Sequence, residues 1–533
     1  MAAGEFGGGV PAGAKTLLGH PRGLFLLFFA EMWERFSYYG MRAILVFYLT
    51  KHFLLGEKPA YAIYGAYTAL VYITPVIGGA IADRYLGARR AVLAGGVFIA
   101  FGHLLIALVE GPEGAQGGYL TGFYMALAAI IVGTGFLKAN ISVLVGALYP
   151  RDDVRRDPAF SIFYMGINLG GFLGPILVGI LGERVGWSWG FGAAGIGMLL
   201  GLVTFVLFQG DLHGAGAPRS REALKAPVLA GLSREWTTYL GAALGVLAIG
   251  WAIQYQDAIG MALIAFLILT IGYILVHAWR TLPRVEFQRI LAALYLIALN
   301  PLFWALFEQQ GSSLNVFTDQ QVDRVILGWN VPASVFQSVN SIFIILFAPV
   351  FAGLWTFLNR RRLEPSAALK FGIGLILVGV GFFSVIWGAG TGRDGLTPAM
   401  FIILLFFFHT CAELCFSPVG LSSMTRLSLP RMTGLMMGTW FLTMAAGNFI
   451  AGQIAQATDA ENRGVQGMLD VYGQIGWFSI GVGVVALVAA PFVTRLMHLE
   501  TLGTPDHALA GESQLGENEA AGLDMRGELK PGR

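Results

Sequence analysis

Charge is scarce in this chain: Asp, Glu, Lys and Arg make up 12% of 533 residues, against about 25% in a soluble domain. That deficit excludes an ordinary soluble fold. A net charge of +2 excludes the strongly basic balance of a nucleic-acid binder and the acidic excess of a solvating tail. Cysteine is nearly absent. Cys411 and Cys415 lie i,i+4 inside an apolar run, so they share a helix face as packing residues and supply no disulfide framework. No phosphate-cradling G-x-x-x-x-G-K-[ST] loop and no His-Glu-x-x-His occurs, so the chemistry of an ATP-driven pump or an intramembrane metalloprotease is missing. His52, His103, His277 and His409 stand singly without metal-ligand spacing and read as hydrogen-bonded structural residues. No cofactor is expected. The segment up to Arg22 lacks the apolar core of about 7–15 residues that marks a signal peptide, so the chain is expected to insert uncleaved through its first helix.

What is present is apolar. Hydrophobic residues make up 56%, mean hydropathy is +0.67 and glycines number 73, a composition typical of membrane helices. A bilayer core takes about 20 apolar residues per helix. Fourteen such runs follow one another: 24–53, 61–82, 91–109, 119–148, 159–181, 189–209, 237–254, 258–279, 290–310, 332–358, 367–387, 398–424, 431–457 and 474–497. With the N-terminus inside, the inward loops and termini hold 25 basic residues and the outward loops 6, the bias that retains Lys and Arg in the cytoplasm. Both termini are therefore expected to be cytoplasmic, in the cell membrane, or the inner membrane of a Gram-negative cell. The longest early polar interruption, 210–236, sets off a helix pair with little intramembrane charge. The expected organisation is an N-terminal segment 1–22, a six-helix bundle 23–210, a linker with an inserted, peripheral pair 211–289, a second six-helix bundle 290–500, and a flexible tail 501–533.

Charges inside membrane helices cost about 2.5–3.5 kcal/mol each near the centre and are functional candidates. Seven stand out: Glu31, Glu34, Arg35, Arg42, Lys138, Glu308 and Glu413. With the pair set aside they fall on helices one, four, seven and ten. That spacing suits four three-helix repeats whose leading helices line a central cavity, as in the major facilitator arrangement. At about 100° per residue, Glu31, Glu34, Arg35, Tyr38 and Arg42 share one face of the first helix. A purely stabilising ion-pair cluster explains this less well than work on a substrate, because desolvation of a buried pair can exceed its Coulombic gain. The series Gly166, Gly170, Gly174 reads as a close-packing face, and Pro75, Pro175, Pro301, Pro349 and Pro418 as possible kinks. Asp83 reads as a capping or gate residue.

The stretch Glu31-Met-Trp-Glu34-Arg35-Phe-Ser-Tyr38-Tyr39-Gly40 closely resembles the ExxERFxYYG motif of the proton-dependent oligopeptide transporter family. Gly78-Gly-Ala-Ile-Ala-Asp83-Arg84 with Gly87 and Arg89-Arg90 resembles the superfamily's loop between helices two and three. Phe160–Phe172, with Ile167-Asn168-Leu169-Gly170, is similar to a second family signature; Gly135–Lys138, Glu413 and Ser417-Pro418 extend the likeness over residues 24–497. The resemblance implies an all-α major facilitator fold of fourteen transmembrane helices, with two extra helices between the bundles as in bacterial members. It implies a proton-coupled symporter that imports di- and tripeptides by alternating access, acts as a monomer in the lipid bilayer, and is not an enzyme. Glu31, Glu34 and Arg35, with Lys138, would couple protonation to transport. Arg42 and Lys138 would meet the peptide carboxylate and Glu413 its amino terminus, while Glu308 would take a proton and pair with Arg42. Tyr38, Tyr39, Tyr72, Asn168, Trp304, Asn340 and Trp440 would line the site. Where mammalian relatives carry a functional histidine on helix two, this sequence has Gly65, so coupling would run through carboxylates. The nearest rival is a family relative that moves nitrate or an amino-acid conjugate. Charges of both signs on one asymmetric chain fit a channel poorly.

Overall fold

The computed structural model describes residues 9–499 apart from 12, 115–116, 151–152, 219, 230 and 430–431. The expected tail 501–533, most of the N-terminal segment's first residues, and Arg151, Arg219 and Arg431 of the basic loops lie outside the described residues. Six helices come first: α1 Arg22–Phe47, α2 Glu57–Ile81, α3 Ala88–Leu108, α4 Gly118–Ala147, α5 Arg156–Arg184 and α6 Trp187–Phe208. A short α7, Arg221–Lys225, precedes the pair α8 Arg234–Ala252 and α9 Gln256–Thr281. Then come α10 Arg284–Phe307, a polar α11 Ser313–Gln321, α12 Ser338–Arg360, α13 Ala367–Gly388, α14 Ala399–Leu427, α15 Thr433–Ala457 and α16 Ala460–Leu496. Short β ribbons close some of the loops.

The fourteen long helices match the fourteen apolar runs. Among the described residues, twelve of them are long and apolar enough to cross a membrane. The other two are α1, which carries Glu31, Glu34, Arg35 and Arg42 in midspan, and α8, whose first turn is Arg-Glu-Trp. Boundaries differ where polar turns extend or break an apolar run. The first run ends in a π turn at Tyr48–His52, and the second passes into another at Ala82–Leu86. The last helix starts at Ala460 rather than near 474, with a break at Gly464 (φ 65°). Its polar first turns continue the backbone ladder beyond the apolar core that hydropathy detects.

Helices α1–α6 form one bundle, while α10 and α12–α16 form the other; α1 packs on α5 and α6, α13 on α14 and α16. Small residues set the closest crossings. A Cβ on Gly170 would sit 2.2 Å from the Met32 carbonyl oxygen, and one on Gly174 2.5 Å from that of Phe36, so this glycine face is a packing surface between α1 and α5. Cys411 and Cys415 are buried and unbridged, as packing residues should be. Of the inserted pair, α8 lies against α4, and α9 lies mainly against α15 and α10. Their outer faces present Leu240, Leu244, Leu247, Phe266 and Leu269, each more than 40% exposed, where lipid chains would lie.

An even number of crossings brings the start of α1 and the end of α16 to one face, called here the terminal face. There Arg155 donates to the Gly19 carbonyl, Arg89 N to the Gly216 carbonyl, Arg289 to the His498 carbonyl, and Arg90 pairs with Glu235. The described basic loops thus meet on a single side.

Candidate functional site

The four leading helices converge as their charges suggested. On α1, Glu31, Glu34, Arg35, Tyr38 and Arg42 are all buried. Arg35 Nε lies 2.9 Å from Glu31 Oε1 and 2.5 Å from Glu34 Oε2, so two carboxylates share one guanidinium. Lys138 on α4 places Nζ 3.8 Å from the centroid of the Tyr72 ring and lies within electrostatic range of Arg35, Glu34, Glu31 and Glu308. Arg42 lies 5.2 Å above the Tyr39 ring and 6.0 Å from that of Tyr38. Such stacking holds a guanidinium while leaving hydrogen-bonding edges free.

The second bundle answers with carboxylates. Glu308 occupies a 3-10 turn, Glu308–Gly311, where α10 breaks before α11, and accepts from Arg42 Nη1 at 2.8 Å. Glu413 on α14 accepts from Asn340 Nδ2 at 3.1 Å; the same amide donates to Thr410 Oγ1. Asn168 donates to the Tyr164 carbonyl one turn earlier on α5. Trp304 is buried against Phe303 and Phe307, with its indole nitrogen unbonded. Trp440 is buried with its ring against Phe371, Phe416 and Gly420, and Phe416 in turn stacks on Phe303 beside Trp304.

Several buried polar atoms here have no hydrogen-bond partner among the described residues, including Glu31 Oε2, Glu34 Oε1, Arg35 Nη2, Arg42 Nε and Tyr38 Oη. Buried polar atoms are nearly always paired, so this group of atoms offers hydrogen-bonding capacity that water or a polar ligand could fill.

The polar contacts described between the bundles lie on one side of these charges, toward the face opposite the termini. Lys51 meets Asp319 at 2.5 Å and Lys58 meets Asp459 at 3.3 Å. Gln320 donates to Glu57, Asn315 to the Ala43 carbonyl, Ser334 N to Glu183, and Arg184 to the Asn330 carbonyl. Toward the terminal face a cavity of about 900 Å³ lies along the second bundle, lined by Phe351, Trp355, Leu414, Ser417 and Arg426 from α12 and α14, with Tyr164 of α5 on its wall. Leu414 follows Glu413 on α14, whereas none of the seven charged residues itself lines this cavity.

The POT family model matches residues 89–477. The chain belongs to the POT family. It is 38% identical over 501 residues to the uncharacterized transporter YclF of Bacillus subtilis, covering 91% of this chain and 96% of that one. It is 36% identical over 477 residues to the peptide transporter YePEPT of Yersinia enterocolitica, covering 84% and 90%. A crystal structure of a mutant peptide transporter POT in complex with alafosfalin superposes with a TM-score of 0.78 at 37% identity, covering 92% and 98%. This POT family member is thus a multi-span membrane transporter with the major facilitator fold.

Residues that sequence reasoning passed over sit beside those it named. Tyr61, Tyr64 and Tyr67 are fully buried on α2, on the way to Tyr72. Their helical spacing was the available signal. Gly65, between them, has a structural reason to be glycine: a Cβ there would lie 2.9 Å from the Gly452 Cα, where α2 crosses α15. No histidine side chain fits that crossing in this state. Among the histidines, His409 bonds Gln310 and the Val378 carbonyl, and His52 bonds the Glu110 carbonyl. His103 departs from the expected pattern, being fully buried with neither ring nitrogen bonded to a described residue. Asp83 is exposed at the end of α2.

Proposed function

We propose that this transporter is a proton-coupled symporter that imports di- and tripeptides by alternating access, driven by the proton gradient without a cofactor. The observation that carries this reading is the meeting of buried opposite charges from separate bundles, Arg42 with Glu308 at 2.8 Å. Arg42 and Lys138 belong to α1 and α4, Glu308 and Glu413 to the second bundle. A zwitterion with a carboxylate at Arg42 and Lys138 and an ammonium at Glu413 bridges the two halves. Its contacts then differ between open and closed states, which is what allows a ligand to shift their populations.

In this reading Glu31 and Glu34 exchange the coupling proton over the shared Arg35, with Lys138 as the charge that the peptide's carboxylate draws away. Glu308 takes a proton as the peptide displaces it from Arg42. Tyr38, Tyr39, Tyr72, Asn168, Trp304, Asn340 and Trp440 shape the site around the peptide's variable groups. One chain carries both bundles, so a monomer suffices. The basic loops gathered on the terminal face support cytoplasmic termini in the cell membrane, and the cavity beside α12 and α14 then faces inward. The pair α8–α9 is peripheral to the pathway.

The test is uptake of labelled dipeptide into proteoliposomes under an imposed pH gradient. Uphill, gradient-dependent accumulation with no channel-like current is expected. Accumulation of nitrate or of an amino-acid conjugate in place of the dipeptide would give the protein another substrate, and uptake indifferent to the gradient would remove proton coupling.

A further inference from the structure

Away from the charged site, a second cavity of about 650 Å³ lies between α8 and the bundle formed by α1–α6. Its walls are mostly apolar, with Ile77 on α2, Val132 and Phe136 on α4, and Gly241 and Ile249 on α8, interrupted by Thr74, Thr237 and Thr238. Ile77 is 59% exposed, so the space is reached from the side of the bundle. At its mouth stands Tyr85, and two guanidinium groups lie close to that ring, Arg84 Cζ at 5.5 Å and Arg234 Cζ at 5.4 Å from the centroid.

Neither Arg84 nor Arg234 forms a salt bridge among the described residues, whereas Arg90 close by does, with Glu235 at 3.2 Å. Two like charges gathered on one aromatic ring repel each other. Arg234 is also the first residue of α8, where its charge adds to the positive end of the helix dipole instead of opposing it. Both features are relieved by an anion at the mouth. The next residue but one, Trp236, is 64% exposed and marks the level of the membrane interface, where tryptophan concentrates.

We propose that this cavity binds an anionic phospholipid, one acyl chain filling the space between α8 and the helices α2 and α4 and the phosphate seated at the mouth beside Tyr85, where Arg84 and Arg234 gather. A soluble phosphate would have no use for the apolar walls. A zwitterionic lipid brings its own cation beside the phosphate and would leave the two guanidiniums uncompensated. Basic pockets between membrane helices that open to the headgroup level are suited to this recognition. On the proposed orientation of the chain the lipid belongs to the inner leaflet, though the site itself depends only on the chain's spanning a membrane.

The experiment is native mass spectrometry of the full chain in detergent, titrated with phosphatidylglycerol or phosphatidylcholine, with soluble glycerophosphate as competitor. The wild type is expected to retain phosphatidylglycerol at least tenfold more tightly than phosphatidylcholine, a comparison that needs no variant. Arg84→Gln combined with Arg234→Gln should weaken phosphatidylglycerol retention by roughly thirtyfold. Gly241→Leu should also displace it, because a Cβ at that position meets nothing within 4 Å and the added side chain fills the cavity without moving its walls. Equal retention of the two lipids by the wild type would overturn the proposal. So would wild-type binding by the double variant or by Gly241→Leu, or competition by glycerophosphate as effective as that of the lipid.

Discussion

Arg42 on α1 and Glu308 after α10 meet at 2.8 Å, buried, with one partner in each bundle. They form the innermost of the contacts that close the face opposite the termini. Removing one member of a buried pair leaves the other charge uncompensated, typically at about 3–5 kcal/mol. Lys51 with Asp319 forms an outer contact of the same kind, but the Lys51 side chain is 44% exposed, and exposed pairs contribute about 0–1 kcal/mol. Glu308→Gln should therefore shift the protein out of the closed state while Lys51→Ala hardly moves it. Spin labels at Leu54 and Leu327, both exposed, read this as a longer distance in the first variant only. An unchanged distance in Glu308→Gln would remove the pair from the closing mechanism.

The glycine contact between α2 and α15 leads to a second prediction. Replacing glycine in a helix normally stabilises it by about 1 kcal/mol, but at Gly65 the new Cβ meets backbone at 2.9 Å. Overpacking of this kind costs about 1–3 kcal/mol and falls on the state in which the two helices touch. Gly65→Ala should lower dipeptide uptake several-fold, and Gly65→His, which restores the histidine of mammalian relatives, should lower it further. Thermal melting of each purified variant separates this from general unfolding. Full uptake by Gly65→His would mean that the crossing opens without penalty.

These two contacts also show where sequence reading stops. The helices and the charged face of α1 were legible because each rests on local periodicity: a run of apolar residues, or polar residues at helical spacing between Glu31 and Arg42. Partnerships such as Arg42 with Glu308, or Gly65 with Gly452, join positions hundreds of residues apart, and no local pattern states which pairs with which. Arg42 and Glu308 were linked in advance only through family resemblance. Lys51, Lys58 and Arg184 were counted as outward basic residues, yet their partners Asp319, Asp459 and the Asn330 carbonyl became visible only once the bundles were placed together. The π turns at Tyr48–His52 and Ala82–Leu86 were equally hidden, since hydropathy does not distinguish one helical hydrogen-bond pattern from another.

A third prediction concerns the two carboxylates that share Arg35. Glu31 and Glu34 both lie against its Nε, so neutralising either one changes the charge that Arg35 and Lys138 must balance. If that balance carries the proton, Glu31→Gln or Glu34→Gln should abolish accumulation above equilibrium. Exchange of labelled for unlabelled peptide, which needs no net proton movement, should survive. Measuring both modes in the same proteoliposomes distinguishes uncoupling from loss of binding. Undiminished uphill uptake in either variant would place the proton elsewhere.

The last prediction tests how the site tells one end of a peptide from the other. Glu413 is held by Asn340 at 3.1 Å, which fixes the carboxylate while leaving its remaining acceptor positions for an ammonium. A hydrogen bond involving a charged group contributes about 1.5–3 kcal/mol, corresponding to roughly tenfold to a hundredfold in affinity. Glu413→Gln removes the charge but keeps the shape, so the free dipeptide should lose that factor. An N-acetyl dipeptide has no ammonium to lose and should bind both proteins alike. The converse holds at Arg42 and Lys138, where a peptide amidated at its C-terminus should be nearly insensitive to Lys138→Gln. Competition against a labelled dipeptide, using folded protein and all four ligand and variant combinations, gives the coupling directly as a double-mutant cycle. Equal losses for free and acetylated peptide in Glu413→Gln would show that Glu413 orders the site through Asn340 and does not read the ammonium.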